Sequence, residues 1–92
     1  MIRSFKHRGL KRLYERDVRS GIRPDLRDTV EDILARLDEA ESPQAMDVPG
    51  YRLHPLKGDL RDFWSVTIRA NWRIIFRFQG GDAFDVELID YH

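Results

Sequence analysis

Two histidines of this chain stand beside charged residues with which they could move protons. His54 lies between Arg52 and Lys57, and His92 closes the string Asp90-Tyr91-His92. Histidine has an unperturbed pKa of about 6.5, so one histidine can take a proton while a second gives one. A lysine or arginine can stabilise the charge that develops on a phosphate. These residue types suit metal-independent RNA cleavage, in which the ribose 2′-hydroxyl attacks the adjacent phosphate.

Other roles for the same histidines remain open at this point. A histidine before a proline on a strand is usually a partly exposed polar residue, and a terminal histidine is usually frayed. His54, Asp90 and His92 are also allowed metal ligands, although no HExxH motif or close histidine pair accompanies them. We therefore expect neither a metal nor another cofactor. The paired roles require the last strand to end close to the strand that carries His54.

Two arginines could supply the positive charge. Arg73 and Arg77 fall on the polar phase of one predicted strand. They could face an RNA phosphate, or they could pair across the sheet with Asp85 and Glu87, as opposite charges on neighbouring strands do. For Arg77 the structural role is as well supported as the functional one.

The first half of the chain carries apolar residues at helical spacing. A first helix, with Gly21 as its left-handed stop, is indicated by Leu10, Leu13, Tyr14 and Val18. Pro24 suits the first turn of a second helix, which runs to about residue 40. The apolar stripe of that helix predicts that it lies on a sheet. The stripe consists of Leu26, Val30, Ile33, Leu34 and Leu37.

The second half of the chain changes to the period of two that strands have. Apolar and polar residues alternate over residues 64–69 and 72–78, and tight turns are predicted at residues 70–71 and 80–82. Because Trp64 and Trp72 share the apolar phase of their strands, the pattern favours the core over base stacking for both.

Three further strands complete the predicted sheet. A last strand should present Phe84, Val86 and Leu88 on one face. Shorter strands are predicted over residues 2–5, as an edge strand, and over residues 52–56. The result is one α+β domain over residues 1–92, with two N-terminal helices packed on one face of a small, mostly antiparallel sheet. Its other face should stay partly open and carry arginines.

The composition fits a small cytoplasmic protein. The chain of 92 residues has no cysteine, which excludes disulfides and thiolate metal sites. No apolar run approaches the roughly 18 residues of a membrane span, and the N-terminus is too short in its apolar part for a signal peptide. We therefore expect a cytoplasmic location and no membrane partner.

Charge is segregated along the chain although the net charge is zero. Four successive blocks, residues 1–27, 28–49, 50–79 and 80–92, carry net charges of +6, −6, +4 and −4. Such blocks permit a cationic face for RNA, or they interleave in space as ordinary surface ion pairs. Charge alone does not choose between the two.

Five strings spread over the whole chain are weak singly and highly specific together. They are Phe5-Lys6-His7-Arg8-Gly9-Leu10, Arg52-Leu53-His54-Pro55-Leu56-Lys57-Gly58, Trp64-Ser65-Val66, Asn71-Trp72-Arg73 and Asp90-Tyr91-His92. With them the sequence resembles the HigB (host inhibition of growth) toxins of the RelE/ParE superfamily. The resemblance implies a RelE-like, microbial-ribonuclease-like fold.

The resemblance also implies an activity and partners. It implies a type II toxin that cleaves translated mRNA in the ribosomal A site and inhibits growth. A small helix-turn-helix antitoxin, HigA-like, would neutralise it, and promoter DNA would be bound only by the toxin-antitoxin complex. A toxin to which the ribosome presents the substrate needs only weak affinity for naked RNA.

The resemblance assigns roles position by position. His54, Asp90, Tyr91 and His92 resemble the active-site residues of the family, while Lys57 and Arg73 resemble its phosphate-facing cations. The two histidines would transfer protons, Asp90 would orient or tune a histidine, and Tyr91 would position the RNA. Which histidine acts as the base stays open.

Two hypotheses from other classes compete with a ribonuclease. A non-enzymatic ParE-type toxin would have the same fold and bind DNA gyrase, and it would need no proton-transferring histidines. A catalytically dead module would retain the fold only to hold an antitoxin. Growth arrest on expression would exclude the dead module.

Overall fold

The protein has two helices on one face of a four-stranded antiparallel sheet. A computed structural model describes residues 1–91. The strands are arranged in the order β1-β2-β3-β4. The elements are α1 (Arg8–Arg16), α2 (Arg27–Glu39), β1 (His54–Pro55), β2 (Trp64–Arg69), β3 (Trp72–Gln79) and β4 (Asp82–Asp90). The predicted α+β class is confirmed, and no helix within residues 1–91 is long and apolar enough to cross a membrane.

The first helix begins as expected but ends early. His7 caps its start, since Nδ1 accepts a hydrogen bond from the Leu10 N–H at 3.1 Å. Its end is Asp17, which has a left-handed φ of 57° and whose N–H donates to the Leu13 carbonyl. The predicted stop at Gly21 was therefore wrong, and Val18 lies beyond the helix on the surface.

Gly21 serves a different purpose, which is a close approach of two backbones. A Cβ on Gly21 would lie 2.8 Å from the Gly9 Cα, and a Cβ on Gly9 would lie 2.5 Å from the Gly21 carbonyl oxygen. Only two facing glycines allow the connector after α1 to pack this tightly on the helix.

The second helix follows the prediction closely. Pro24 opens one 3₁₀ turn, Pro24–Leu26, which leads directly into α2. The predicted stripe is buried, and Leu26, Val30, Ile33 and Leu37 are at most 1% exposed. It packs with α1 and with one face of the sheet in a single core, to which the strands contribute mainly Val66, Ile74, Phe76 and Val86.

The long strands and their turns confirm the period of two. Trp64 and Trp72 both pack against the core. Gly80 and Gly81 have φ angles of 60° and 84°, and positive φ at both central residues is the pattern of a type I′ hairpin turn. Ala70, with φ of 49°, lies in the short connection between β2 and β3.

A β-bulge changes which face the last strand presents. The register moves from Ile75↔Glu87 to Arg77↔Phe84, and Asp85 inside the bulge has a left-handed φ of 54°. Phe84 therefore lies under the Arg77 guanidinium, 5.8 Å from it, instead of in the core. The prediction that Phe84 shares a face with Val86 was wrong, because the extra residue reverses the alternation.

Both short predicted strands are reduced. Residues 2–5 lie parallel to β4 at the sheet edge through two isolated bridges, Ile2↔Ala83 and Phe5↔Val86, rather than as a regular strand. The strand predicted over residues 52–56 is reduced to β1, because Arg52 has a positive φ of 51°. The edge position was predicted correctly, and the lengths were not.

Two tyrosines donate hydrogen bonds to carboxylates on α2. The Tyr14 hydroxyl donates to Asp38 Oδ1 at 2.6 Å, and the Ile2 N–H donates to the same oxygen at 2.9 Å. The Tyr51 hydroxyl donates to Asp32. Burial would raise the pKa of Asp38, but the bonds from Tyr14 and Ile2 outweigh it and the pKa is lowered. These contacts tie α1, the N-terminal segment and the loop after α2 to one helix.

We expect the free energy of unfolding to fall as the pH rises from about 10 to about 12. The hydrogen bond to Asp38 raises the pKa of Tyr14 from 10.0 to about 12, and burial raises that of Tyr51 equally. Between those values the folded protein binds more protons than the unfolded chain, so alkali favours unfolding. Urea unfolding of Tyr14→Phe at pH 9 to 12 should show a shallower fall than wild type. An unchanged slope would contradict the assignment.

Candidate active site

The face of the sheet away from the helices carries two of the predicted site residues, His54 and Arg73, and we call it the open face. Cross-strand pairing defines its rows, because directly opposed residues of neighbouring antiparallel strands point to the same side. One row runs across all four strands and consists of His54, Ser65, Ile75 and Glu87. A second row crosses β2, β3 and β4 and consists of Thr67, Arg73 and Ile89.

A small apolar cluster covers part of the open face. Leu56, Phe63 and Ile75 are buried together, with Leu60 and Ile89 packed against them. The segment between β1 and β2 therefore lies over the sheet there. The open face is narrower than the sequence suggested, and its accessible part lies towards β1 and the ends of the strands near Arg73.

His54 is exposed on β1 with one ring nitrogen already engaged. Its Nδ1 lies 3.0 Å from the Arg52 carbonyl oxygen. A carbonyl oxygen only accepts, so Nδ1 carries the hydrogen in this contact. The neutral ring then has its lone pair on Nε2, which is the tautomer that a general base needs. The positive φ at Arg52 brings that carbonyl to the histidine.

The two predicted phosphate-facing cations differ in how firmly they are held. Lys57 is exposed immediately before the 3₁₀ turn Gly58–Leu60. Arg73 is half-buried, and its Nη1 donates to the carbonyls of Ala70 at 2.7 Å and Trp72 at 3.1 Å. The Arg73 guanidinium is therefore held at the β2–β3 turn by these two backbone carbonyls.

Arg77 takes the structural alternative. Its Nε donates to Asp85 Oδ2 at 2.8 Å, and its guanidinium lies over the Phe84 ring. The cross-strand pairing with Asp85 that the sequence left open is thus present, and Arg77 is a poor candidate for phosphate binding.

The end of β4 carries two more of the predicted residues. Asp90 pairs directly with Trp72, and the Tyr91 N–H donates to the Asn71 carbonyl at 2.7 Å. Tyr91 is 49% exposed, so its ring is available to a ligand. By strand alternation Asp90 lies on the helix side and Ile89 on the open face. His92 lies outside the described residues, and so does its predicted pairing with His54.

The sheet order separates His54 from the end of β4. β1 and β4 are opposite edges, so three interstrand spacings of ~4.8 Å put their backbones about 14 Å apart. His54 and Asp90 therefore lie on strands at opposite sides of the sheet and, by strand alternation, on opposite faces of it, so they do not contact each other. Within the described chain no three His, Asp or Glu side chains group closely enough to hold a metal ion.

Two residues near this face were not singled out by the sequence. The Lys6 ammonium lies 5.4 Å from the centre of the Phe63 ring, which adds a cation to the open face. Burial lowers the pKa of His7, opposed by the charge of Glu87, and its ring caps α1. The sequence could not indicate these two contacts, because they form only when the N-terminal segment lies along β4.

Ion pairs join several of the charge blocks. Arg19 pairs with Asp28 at 3.1 Å and with Glu31 at 2.9 Å, and Arg3 pairs with Asp82 at 3.0 Å. The interleaving that the sequence left open is therefore present in part. A cationic surface survives on the outward side of α1, where the exposed residues are Arg8, Lys11, Arg12 and Arg16.

The fold is shared with a solved toxin. The YoeB/ParE toxin from Agrobacterium tumefaciens matches with a TM-score of 0.53, covering 100% of this chain and 99% of that chain at 20% sequence identity. At this identity the likeness concerns the fold alone. It gives the class of the fold, which is the α+β fold of that toxin.

Sequence comparisons give the family within that class. The model of the RelE-like toxin of type II toxin-antitoxin system HigB matches residues 3–92. Endoribonuclease HigB from Proteus vulgaris is 48% identical over 92 residues and covers 100% of both chains. Toxin HigB-1 from Vibrio cholerae serotype O1 is 30% identical over 93 residues, with 96% of this chain and 95% of the relative covered. The chain belongs to the HigB-like toxins of type II toxin-antitoxin systems, which confirms the predicted resemblance.

Proposed function

We propose that the protein is an endoribonuclease that cleaves translated mRNA in the ribosomal A site and so inhibits growth. The observation that carries this proposal is the identity of 48% to Endoribonuclease HigB over the full length of both chains. The exposed ring of His54 supports it, because Nδ1 contacts the Arg52 carbonyl and Nε2 can take a proton, which a toxin that only binds a partner does not need.

The reaction we propose is transfer within the RNA. His54 Nε2 takes the proton of a ribose 2′-hydroxyl, whose oxygen forms a bond to the adjacent phosphorus while the bond to the 5′-oxygen breaks. His92 gives a proton to the departing 5′-oxygen. The products are a 2′,3′-cyclic phosphate and a 5′-hydroxyl end, so no metal or cofactor enters the balance.

The remaining residues would hold the RNA between the two edges of the sheet. Lys57 and Arg73 meet the phosphate, and their charge favours the transition state, in which negative charge builds up on its oxygens. Tyr91 stacks on or orients a nucleotide, and Asp90 orients the segment that carries His92. A phosphodiester lying across β2 and β3 on the open face would be within reach of His54 from β1.

The net charge of the protein supports ribosome dependence. A net charge of zero gives little affinity for free RNA, because phosphate contacts dominate that affinity. The ribosome supplies the substrate in place and at high local concentration. Because the substrate is presented by ribosomes, the location that we propose for the protein is the cytoplasm.

The partners we propose are those of a type II system. A small helix-turn-helix antitoxin, HigA-like, binds and neutralises the toxin. The complex, and not the toxin alone, binds promoter DNA.

The test is cleavage of a defined mRNA by the wild-type protein, mapped by primer extension. We expect cuts within translated codons on purified programmed ribosomes, and almost none in the same mRNA without ribosomes. The matched control is an mRNA with its start codon removed, which should stay intact. Equal cutting of deproteinised mRNA would contradict ribosome dependence. Intact messages together with inhibited gyrase supercoiling would replace the proposal with a gyrase poison.

A further inference from the structure

The connector between the two helices reaches the end of the sheet through one side chain. The guanidinium of Arg23 lies 5.4 Å from the centre of the Trp72 ring. Trp72 is the direct cross-strand partner of Asp90, the last residue of β4. A residue that precedes α2 thus lies beside the strand end from which Tyr91 continues.

The Arg23 guanidinium is held on a second side by a carboxylate. Its Nε donates to Asp25 Oδ1 at 2.9 Å and its Nη2 donates to Asp25 Oδ2 at 2.7 Å. Two parallel bonds of this kind fix the plane of the group. Arg69, the last residue of β2, lies 3.7 Å from the same carboxylate. The connector is therefore tied to the β2–β3 turn as well as to Trp72.

The charge of Arg23 also acts on the strand end. Hydrogen bonding to Asp25 and the charge of that carboxylate raise the pKa of Arg23, and the charge of Asp90 raises it further. A cation fixed by Asp25 and Trp72 therefore attracts the carboxylate that ends β4.

We propose that Arg23 is a positioning residue, which holds Asp90 beside Trp72 and thereby positions Tyr91, the residue that follows. As a statement about catalysis this rests on the proposed function. As a statement about the strand end it stands on the contacts of Arg23 alone.

The expected effect is local. Exposed ion pairs contribute little to global stability, and the Arg23 side chain is 57% exposed. The last residues of a strand, however, open far more easily than its centre. Loss of Arg23 should therefore loosen the strand end and leave the melting temperature nearly unchanged.

The first readout is hydrogen exchange at the Tyr91 amide, which is bonded to the Asn71 carbonyl. We expect Arg23→Ala to speed this exchange by about tenfold while amides at the centre of β3 keep their rates. The matched control is Arg19→Ala, which removes another exposed arginine with two carboxylate partners, Asp28 and Glu31. Arg19→Ala should change neither the exchange of the Tyr91 amide nor that of the amides at the centre of β3. Unchanged Tyr91 exchange in Arg23→Ala would overturn the inference whatever the activity.

The second readout is single-turnover cleavage on ribosomes. We expect Arg23→Ala to lower the maximal rate by about tenfold, with little change in the half-saturating concentration, and to add little to the loss in Asp90→Asn, because coupled residues are not additive. Arg23→Lys should restore part of the rate. A raised half-saturating concentration with unchanged Tyr91 exchange would make Arg23 a direct RNA contact instead.

The two readouts separate the inference from the proposed function. If the wild-type protein cuts no translated mRNA, the proposed function fails while the exchange measurement still decides the role of Arg23. Faster exchange with normal cleavage would overturn the catalytic part of the inference.

Discussion

His54→Ala should lower the rate of ribosome-dependent cleavage by about 10² to 10⁴-fold, which is the usual contribution of a positioned general base. The folded protein should be unaffected, because His54 is exposed and its ring, within residues 1–91, bonds to the nearby Arg52 carbonyl two residues away. His54→Gln should be almost as inactive, since an amide can keep that hydrogen bond but cannot take the proton. Single-turnover cleavage at saturating enzyme measures the chemical step for each variant.

His7→Asn is the matched control for that measurement. It also removes an imidazole, but asparagine is a favourable N-cap and can accept the Leu10 N–H in its place. We expect normal cleavage and a melting temperature close to that of the wild type. Full activity in His54→Ala, with His7→Asn also active, would remove His54 from the mechanism and leave the family assignment intact.

Phe76→Ala should cost about 3 to 5 kcal/mol in the free energy of unfolding, the usual cost of emptying a phenylalanine site in a core. Phe76 is fully buried at the centre of β3, with the edge of its ring against Phe78 at a centroid distance of 5.8 Å. Domains of this kind have only about 5 to 15 kcal/mol to lose. Urea unfolding followed by tryptophan fluorescence should therefore show a large drop in the midpoint.

Phe84→Ala is the partner of that experiment and tests the bulge. Regular alternation would place Phe84 in the core, whereas the bulge places it half-exposed beneath Arg77. We expect a loss of only about 1 kcal/mol, roughly half of what full burial of the ring contributes. A loss as large as that of Phe76→Ala would show that Phe84 belongs to the core and that the bulge is misplaced.

The regular part of the fold was readable because periodicity is local. The stripe of α2 and the alternation of β2 and β3 arise from residues a few positions apart, and both are buried as predicted. Gly80 and Gly81 were equally readable, since glycine is the residue that tolerates their positive φ.

Three of the errors share one cause, which is left-handed backbone at residues other than glycine. Asp17 ends α1 early, Arg52 shortens the predicted strand 52–56 to β1, and Asp85 reverses the face on which Phe84 lies. An arginine gives no signal of a positive φ, and an aspartate gives only a weak one, because the surrounding packing decides whether the conformation is adopted. Ala70 has the same conformation and caused no error, because a turn was already predicted there.

The candidate site was predictable as a set of residue types and not as a geometry. His54 and the end of β4 attract attention by composition, but the sheet order that puts them on opposite edges is a long-range property. Arg23 shows the same limit more strongly. It stands beside Asp25 in the sequence, and only the fold brings it to Trp72.

The N-terminal segment has a consequence for the order in which the protein can fold during its own synthesis. Asp85 N–H donates to the hydroxyl of Ser4, 81 positions away, and residues 2–5 bond to β4 throughout. The ends of so long a loop meet late, because their contact is favourable only once the intervening chain is ordered. Residues 2–5 leave the ribosome well before their partners on β4. Interrupted translation therefore yields a chain whose sheet cannot close at that edge.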